Sequence, residues 1–347
     1  MAGTWTKQDK ILPGAYINFL TNAPLSITPG DRGIVLLLQE MSVGVAGDIY
    51  EATVTRNNYP EGVSDSELIL VKEALKNAQK VIIYNLGSEH NEASIATALN
   101  AVKTLDFNVL AYPYDGEGHN ANKATITTWI KDAIAHEGKA VQGVLANHTG
   151  NYEGIINVTH GVKMSDGKVF SAAETTAWVA GCTAGASISK SNTGKKYEGA
   201  IDVVPRITKT EMEDAITAGE FIFKVDSAQN VSVVYDINSL TTVTEEKGKQ
   251  FSKNRVVRTL YGINNDITQI FESNYVGKMN NNGDGRDLLR ATIISYFDEL
   301  QRLSAIKNFT TEDVKVEAGN DLDSVVIDCY IQPVDSIEKM YITVSLA

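Results

Sequence analysis

Apolar positions in the first 160 residues recur in two alternating rhythms. Residues 33–39, 80–86, 107–112 and 139–146 are short, nearly continuous apolar runs of strand length. Between them, 64–78, 92–103 and 121–137 repeat their apolar residues at helical spacing. In the first of these, Ser64 or Asp65 is placed to cap, and Leu68, Leu70, Val71 and Leu75 form the stripe. Strands without polar alternation, separated by helices, predict a mainly parallel sheet covered on both faces, an α/β unit.

The second half changes character. Residues 171–188 are rich in Ala and Gly and predict a tightly packed helix, followed by a polar, Gly-bearing linker over 189–199. A helix over 209–218 and a hairpin over 221–225 and 231–235 come next. Two long helices, 254–279 and 285–306, are joined by an Asn-rich turn, and β-runs over 324–332 and 340–346 finish an α+β half. Both termini have strand character. Near the end, Ile342, Val344 and Leu346 share one face, opposite Tyr341, Thr343 and Ser345; near the start, Ala15, Ile17 and Phe19 alternate in the same way. Chain ends are usually polar and frayed. Ends that form strands need a partner, either within the fold or in a neighbouring chain.

Composition narrows the classes. Of the 347 residues, 43% are hydrophobic and 21% charged, ordinary for a globular protein, and no apolar run reaches the roughly 18 residues of a membrane helix. The N-terminus shows no hydrophobic signal core, so secretion by that route is not expected. A net charge of −12 without a basic block argues against nucleic acid or an anionic membrane as partner. Cys182 and Cys329 both lie in apolar surroundings and read as reduced, mostly buried thiols. His90, His119, His136, His148 and His160 show no metal-ligand spacing, and no cofactor is implied.

Motifs for chemistry are sparse. Gly116-Glu-Gly-His-Asn-Ala121 matches a dinucleotide fingerprint between a strand and a helix. It follows a later strand, however, Pro113 interrupts the approach, and Asp115 and Glu117 would repel a pyrophosphate. The alternative reading as a nucleotide-binding enzyme rests on this loop alone. Asn280-Asn-Asn-Gly-Asp-Gly285 lacks the final acidic ligand of a calcium loop, since Ala291 stands there, and reads as a turn in which Asp284 caps the next helix. No catalytic constellation is visible. On the helix over 285–306, Leu288, Leu289, Ile293, Ile294, Phe297, Leu300 and Leu303 form a stripe, while Arg286, Arg290 and Arg302 offer cations to an acidic surface.

Four segments together resemble the contractile tail sheath proteins of bacteriophages and phage-tail-like bacteriocins. Ile11-Leu-Pro-Gly-Ala-Tyr-Ile-Asn-Phe19 is similar to the family's N-terminal Pro-Gly-x-Tyr motif. Ala177-Trp-Val-Ala-Gly-Cys-Thr-Ala-Gly185 resembles its Ala-rich helix with a Gly-x-x-x-Gly-like ending, and Asn254-Arg-Val-Val-Arg-Thr-Leu260 its core helix. The stretch Ile331-Gln-Pro-Val-Asp-Ser-Ile-Glu-Lys-Met-Tyr-Ile-Thr-Val344 resembles its closing strand. The resemblance implies a structural polymer and not an enzyme: stacked six-membered rings around a tail tube, which contract to drive the tube through a bacterial envelope. It implies an N-terminal arm (1–22), an outer α/β domain (23–188), an inner α+β domain (189–333) and a C-terminal strand arm (334–347). Pro13, Gly14, Tyr16, Ile17 and Phe19, with Tyr341, Ile342, Val344 and Leu346, would contact neighbouring copies; Arg286, Arg290 and Arg302 would face the tube. The implied partners are other copies of the chain and the tube, baseplate and tail terminator proteins. Assembly would take place in the bacterial cytoplasm, and the product would be the tail of an extracellular particle.

Overall fold

A computed structural model describes residues 32–245 and 247–345. The apolar runs form a parallel sheet. Strands β1 (Ile34–Gln39), β3 (Lys80–Asn85), β4 (Val109–Tyr112), β5 (Gln142–Ala146) and β6 (Ile155–Val158) run in one direction, in the order β6-β5-β4-β1-β3. An antiparallel strand, β2 (Ile49–Thr53), closes the β3 edge, and the short parallel β10 (Glu220–Phe221) closes the other. In the register, Leu37 lies between Ile83 and Ala111.

Strand residues divide between two cores by parity. Val35, Leu37, Val81 and Ile83 face α1 (Ile69–Leu75) and α4 (Ala172–Gly185). Leu36, Leu38, Ile82 and Leu110 face α2 (Glu92–Ala101) and α3 (Asn120–Glu137). The sheet is thus covered on both faces, which is why its strands carry no polar alternation.

Helix boundaries follow local chemistry. The helix expected over 64–78 shrinks to α1, because residues 64–68 form turns. There the Glu67 carboxylate accepts from the Ser42 and Ser64 backbone N–H groups at 2.6 and 3.0 Å, tying the turn to the end of β1. α4 starts at a capping box in which Ser171 and Glu174 each bond the other's backbone N–H. α3 ends at Gly138, whose φ of 65° is the left-handed conformation glycine accepts cheaply.

Beyond α4, the segment expected as a linker packs into the body: Tyr197 is buried and stacks on Trp178 of α4, with ring centroids 4.3 Å apart. A three-stranded sheet joins β7 (Gly161–Met164), β8 (Val169–Phe170) and β9 (Ala200–Val204). After α5 (Lys209–Thr217), β10 returns to the main sheet. The expected hairpin, β11 (Phe223–Val225) and β12 (Val231–Val233), adds Phe223, Val231 and Val233 to the core that Trp178 occupies.

α6 (Asn254–Ile270) links the two halves. Its Asn265 accepts from the backbone N–H of Ala140 at 2.9 Å and donates to the same residue's carbonyl at 2.8 Å. The helix expected to continue to 279 passes into a π turn over Phe271–Tyr275 and ends there. Asn282 caps α7 (Gly283–Arg302) by accepting from the Gly285 N–H. Leu289, Ile293, Tyr296, Phe297 and Leu300 of α7 form a third core with Ile306, Phe309 and Val314. Tyr296 is buried in place of Leu288, which is exposed. Four short strands follow: β13 (Ile306–Lys307), β14 (Val314–Ala318), β15 (Val325–Cys329) and β16 (Gln332–Pro333), paired β13 with β16 and β14 with β15. β15 fulfils the run expected over 324–332, whereas β13 and β14 carry too few apolar residues to be read from sequence.

Candidate intersubunit surfaces

The C-terminal segment leaves the body in two stages. From Gln332 to Glu338 it is held. β16 pairs with β13, and the Val334 N–H donates to the Ala305 carbonyl at 2.9 Å. Arg255 of α6 donates to Ser336 Oγ at 2.8 Å and to the Ser304 carbonyl at 3.1 Å. The Glu338 side chain is only 6% exposed; its carboxylate accepts from Ser191 Oγ at 2.9 Å and Thr193 Oγ1 at 2.6 Å, and pairs with Lys253 Nζ. Burial alone would raise the Glu338 carboxyl, but these three hydrogen bonds outweigh it and hold it below the usual carboxylate range.

After Glu338 one contact remains among the described residues, that of Lys339 Nζ, 5.9 Å from the Tyr235 ring centroid. Tyr341, Ile342 and Val344 are 90%, 69% and 79% exposed, and residues 340–345 form no strand within the described part of the subunit. Leu346 lies outside the described residues, as do Pro13, Gly14, Tyr16, Ile17 and Phe19.

The β14–β15 ribbon carries strand edges of its own. Val316, Val325 and Ile327 turn inward and pack on the α7 core, while Lys315, Glu317, Val326 and Asp328 face outward. Each strand has one ladder partner, so each presents an unpaired edge among the described residues. The ribbon has one covered face only. Cys329, expected to be mostly buried, is exposed at the end of β15, while Cys182 on α4 is buried as expected.

The three arginines of α7 are spread over different duties. Arg290 donates from Nε to the Val314 carbonyl at 2.8 Å and from Nη2 to the Thr311 carbonyl, clipping the helix to β14. Arg286 donates to Asn281 Oδ1 at 2.9 Å. Arg302 pairs with Glu299 at 2.5 Å, and its side chain stays 71% exposed. Asp287 and Asp298 share the outer face. The helix therefore presents both signs of charge and not a cationic stripe.

The loop after β4 follows a different plan from a dinucleotide turn. A separate one-turn 3-10 helix, Glu117–His119, stands between it and α3. Lys123 of α3 is buried and pairs with Asp115 at 2.7 Å; the Asp115 carboxyl, opposed by burial, is lowered by Lys123 and Asn147. Beside the loop, Tyr112 Oη lies 2.6 Å from His90 Nε2 and 2.9 Å from His119 Nδ1, and accepts from Asn122 at 2.8 Å. His90 Nδ1 reaches Glu40 at 2.7 Å. These groups satisfy one another across the carboxyl end of the sheet.

Comparison with known proteins agrees with this architecture. Residues 89–239 match the phage tail sheath protein central domain, and residues 246–347 the phage tail sheath C-terminal domain. The crystal structure of a sheath tail protein from Desulfitobacterium hafniense is 33% identical and superposes with a TM-score of 0.83, covering 95% of this chain and 99% of that one. The tail sheath protein of Clostridium phage phiCD119 is 32% identical over 72% of this chain and 67% of its own length. Phage-like element PBSX protein XkdK of Bacillus subtilis is 40% identical over 72% of this chain. The chain spans about half of that relative's length, 54%, and 56% of a second B. subtilis relative, YqbK. The contracted helical sheath of the anti-feeding prophage, at 14% identity, shares the fold with a TM-score of 0.71 over 97% of this chain and 99% of that one. The chain belongs to the phage tail sheath family.

Proposed function

We propose that the chain is the repeating subunit of a contractile tail sheath, stacked as six-membered rings around a tail tube, with its terminal arms joining neighbouring subunits. The observation that carries this reading is the closing segment: an alternating strand sequence, anchored at its root, exposed from Lys339 to Ser345 and unpaired among the described residues. The open edges of β14 and β15 are the acceptors we propose for such strands. Five or six residues added to an edge would contribute several backbone hydrogen bonds at about 1 kcal/mol net each, plus apolar burial. Residues 1–14, if extended, would span roughly 45 Å, enough to reach an adjacent subunit. A joint of this kind keeps its ladder while the bodies it connects rotate, so connectivity can survive contraction.

In this reading the α/β sheet projects outward, and the α6–α7 half lies toward the tube with the arms at 1–22 and 334–347. Subunits assemble in the bacterial cytoplasm with tube, baseplate and terminator proteins, and end in the tail of an extracellular particle. The test is deletion of 340–347, which leaves the anchored root in place. The truncated subunit should keep the thermal midpoint of the full chain yet form no sheath when co-expressed with the tube protein. Normal sheaths from the truncation would refute the reading.

A further inference from the structure

Residues 332–338 are held more firmly than a route to an exposed tail requires. β16, Val334, Ser336 and Glu338 each bond a different element, and the strongest attachment comes last. Glu338 meets Lys253, which precedes α6, and Ser191 and Thr193, from the segment after α4. Lys253 is in turn held 3.8 Å from the Tyr235 ring centroid and 3.5 Å from Asp335. The 189–199 segment is itself fixed: the Asp236 carboxylate accepts from the Asn192 N–H at 2.8 Å and from Asn254 Nδ2 at 2.9 Å. Residues 339–345 make no hydrogen bond to the other described residues.

We propose that Glu338, Lys253, Ser191 and Thr193 are positioning residues: they form a fixed anchor that sets where the C-terminal arm leaves the subunit, and free movement starts at Lys339. The proposal rests on the reading of the arm as an intersubunit strand and specifies how that strand is delivered. With the anchor closed, residues 339–347 reach at most about 30 Å from Glu338, which restricts the arm to an adjacent acceptor edge. With the anchor open, the free length grows to about fifteen residues. The local concentration of the arm at any one edge then falls about twofold by chain statistics, and its direction is lost. Removing Glu338 leaves Lys253 only the longer Asp335 contact, and removing Lys253 leaves a largely buried carboxylate without its ion pair, so single substitutions should loosen the root.

Hydrogen exchange read by mass spectrometry tests the anchor directly on the full-length chain. In the unaltered subunit, 333–338 should be protected relative to 339–345, which should exchange at once. Protection is read at the amides of 334–338, because Pro333 has none, and above all at Val334, which donates to the Ala305 carbonyl. E338A should speed exchange over 333–338 at least tenfold, leave α6 and α7 unchanged, and lower sheath yield on co-expression with the tube protein. Should E338A misfold, S191A/T193V serves instead, since it removes two donors and keeps the Lys253 pair; it should loosen the same segment. E338Q, which keeps acceptors for Ser191 and Thr193, should fall between E338A and the unaltered chain. Unchanged exchange over 333–338 in E338A or S191A/T193V would overturn the anchor, as would sheath of normal yield from a variant whose root has been released. If the unaltered chain itself forms no sheath with the tube protein, the sheath reading fails, while the exchange measurement still decides whether the anchor exists.

Discussion

Cys182 and Cys329 have similar apolar neighbours in sequence and opposite environments in the fold. Cys182 lies inside α4, beneath the main sheet, and burial pushes its thiol up to about 12. Cys329 ends β15, exposed, and is raised by partial burial and by Asp328. A thiol reacts as the thiolate, so a raised pKa slows a cysteine but only enclosure removes it from reagent. The folded subunit should therefore release one equivalent with a disulfide reagent at pH 8 and the second only in denaturant. In assembled sheath, Cys329 should react at least several times more slowly if an arm covers the β14–β15 ribbon. Two rapidly reacting thiols in the native subunit would mean that α4 is not enclosed. The run Val326-Ile-Asp-Cys-Tyr-Ile331 gave no warning of this difference, because a single-layer ribbon and a buried strand can carry the same residues. What separates them is whether other elements pack over the strand's end, which the local sequence does not encode.

At the level of elements, α4 is the most constrained piece of the chain. A Cβ at Gly181 would stand 2.2 Å from the Ala74 carbonyl oxygen, and one at Gly185 would stand 1.9 Å from that of Asn77. The four-residue spacing puts both glycines on one face, and α1 packs against it backbone to backbone. In a solvated helix, Gly to Ala gains roughly 1 kcal/mol from propensity. Here the sign should reverse. Gly181→Ala and Gly185→Ala should each destabilise by about 1–3 kcal/mol through overpacking, read from denaturant midpoints; stabilisation by either would place α1 farther away than described. This close approach was legible as an Ala-rich helix with glycines at that interval, and the α/β alternation was legible because strands covered on both faces need continuous apolar residues. The polar contacts were not. Lys253 and Glu338 lie 85 positions apart, and nothing in either neighbourhood names the other. β14 escaped notice because Val314 and Val316 supply its only strong apolar alternation.

For the molecule as a whole, the question is how an acidic chain would hold a tube at its proposed inner face. A net charge of −12 makes any local cations conspicuous in sequence, which is how α7 drew attention. The fold divides those cations by role. Arg290 is committed to the Val314 and Thr311 carbonyls, so reversing its charge would loosen β14 and confound any binding measurement. Arg302 and Arg286 are the better probes: one is bonded to half-buried Glu299 and the other to Asn281, and neither is bonded to a strand. A solvent-screened ion pair such as Arg302–Glu299 contributes little to stability. R286E/R302E should therefore fold with a midpoint near that of the unaltered chain. If α7 faces the tube as proposed, the variant should still form sheath-only polymers, because the arms are untouched, but should lose attachment to the tube. Charge complementarity acts mainly on encounter and register, so raising salt should weaken the unaltered complex in the same direction. Co-purification of tube with R286E/R302E at the unaltered ratio, across a salt series, would remove α7 from the tube interface and leave the arms as the part of the sheath reading still standing.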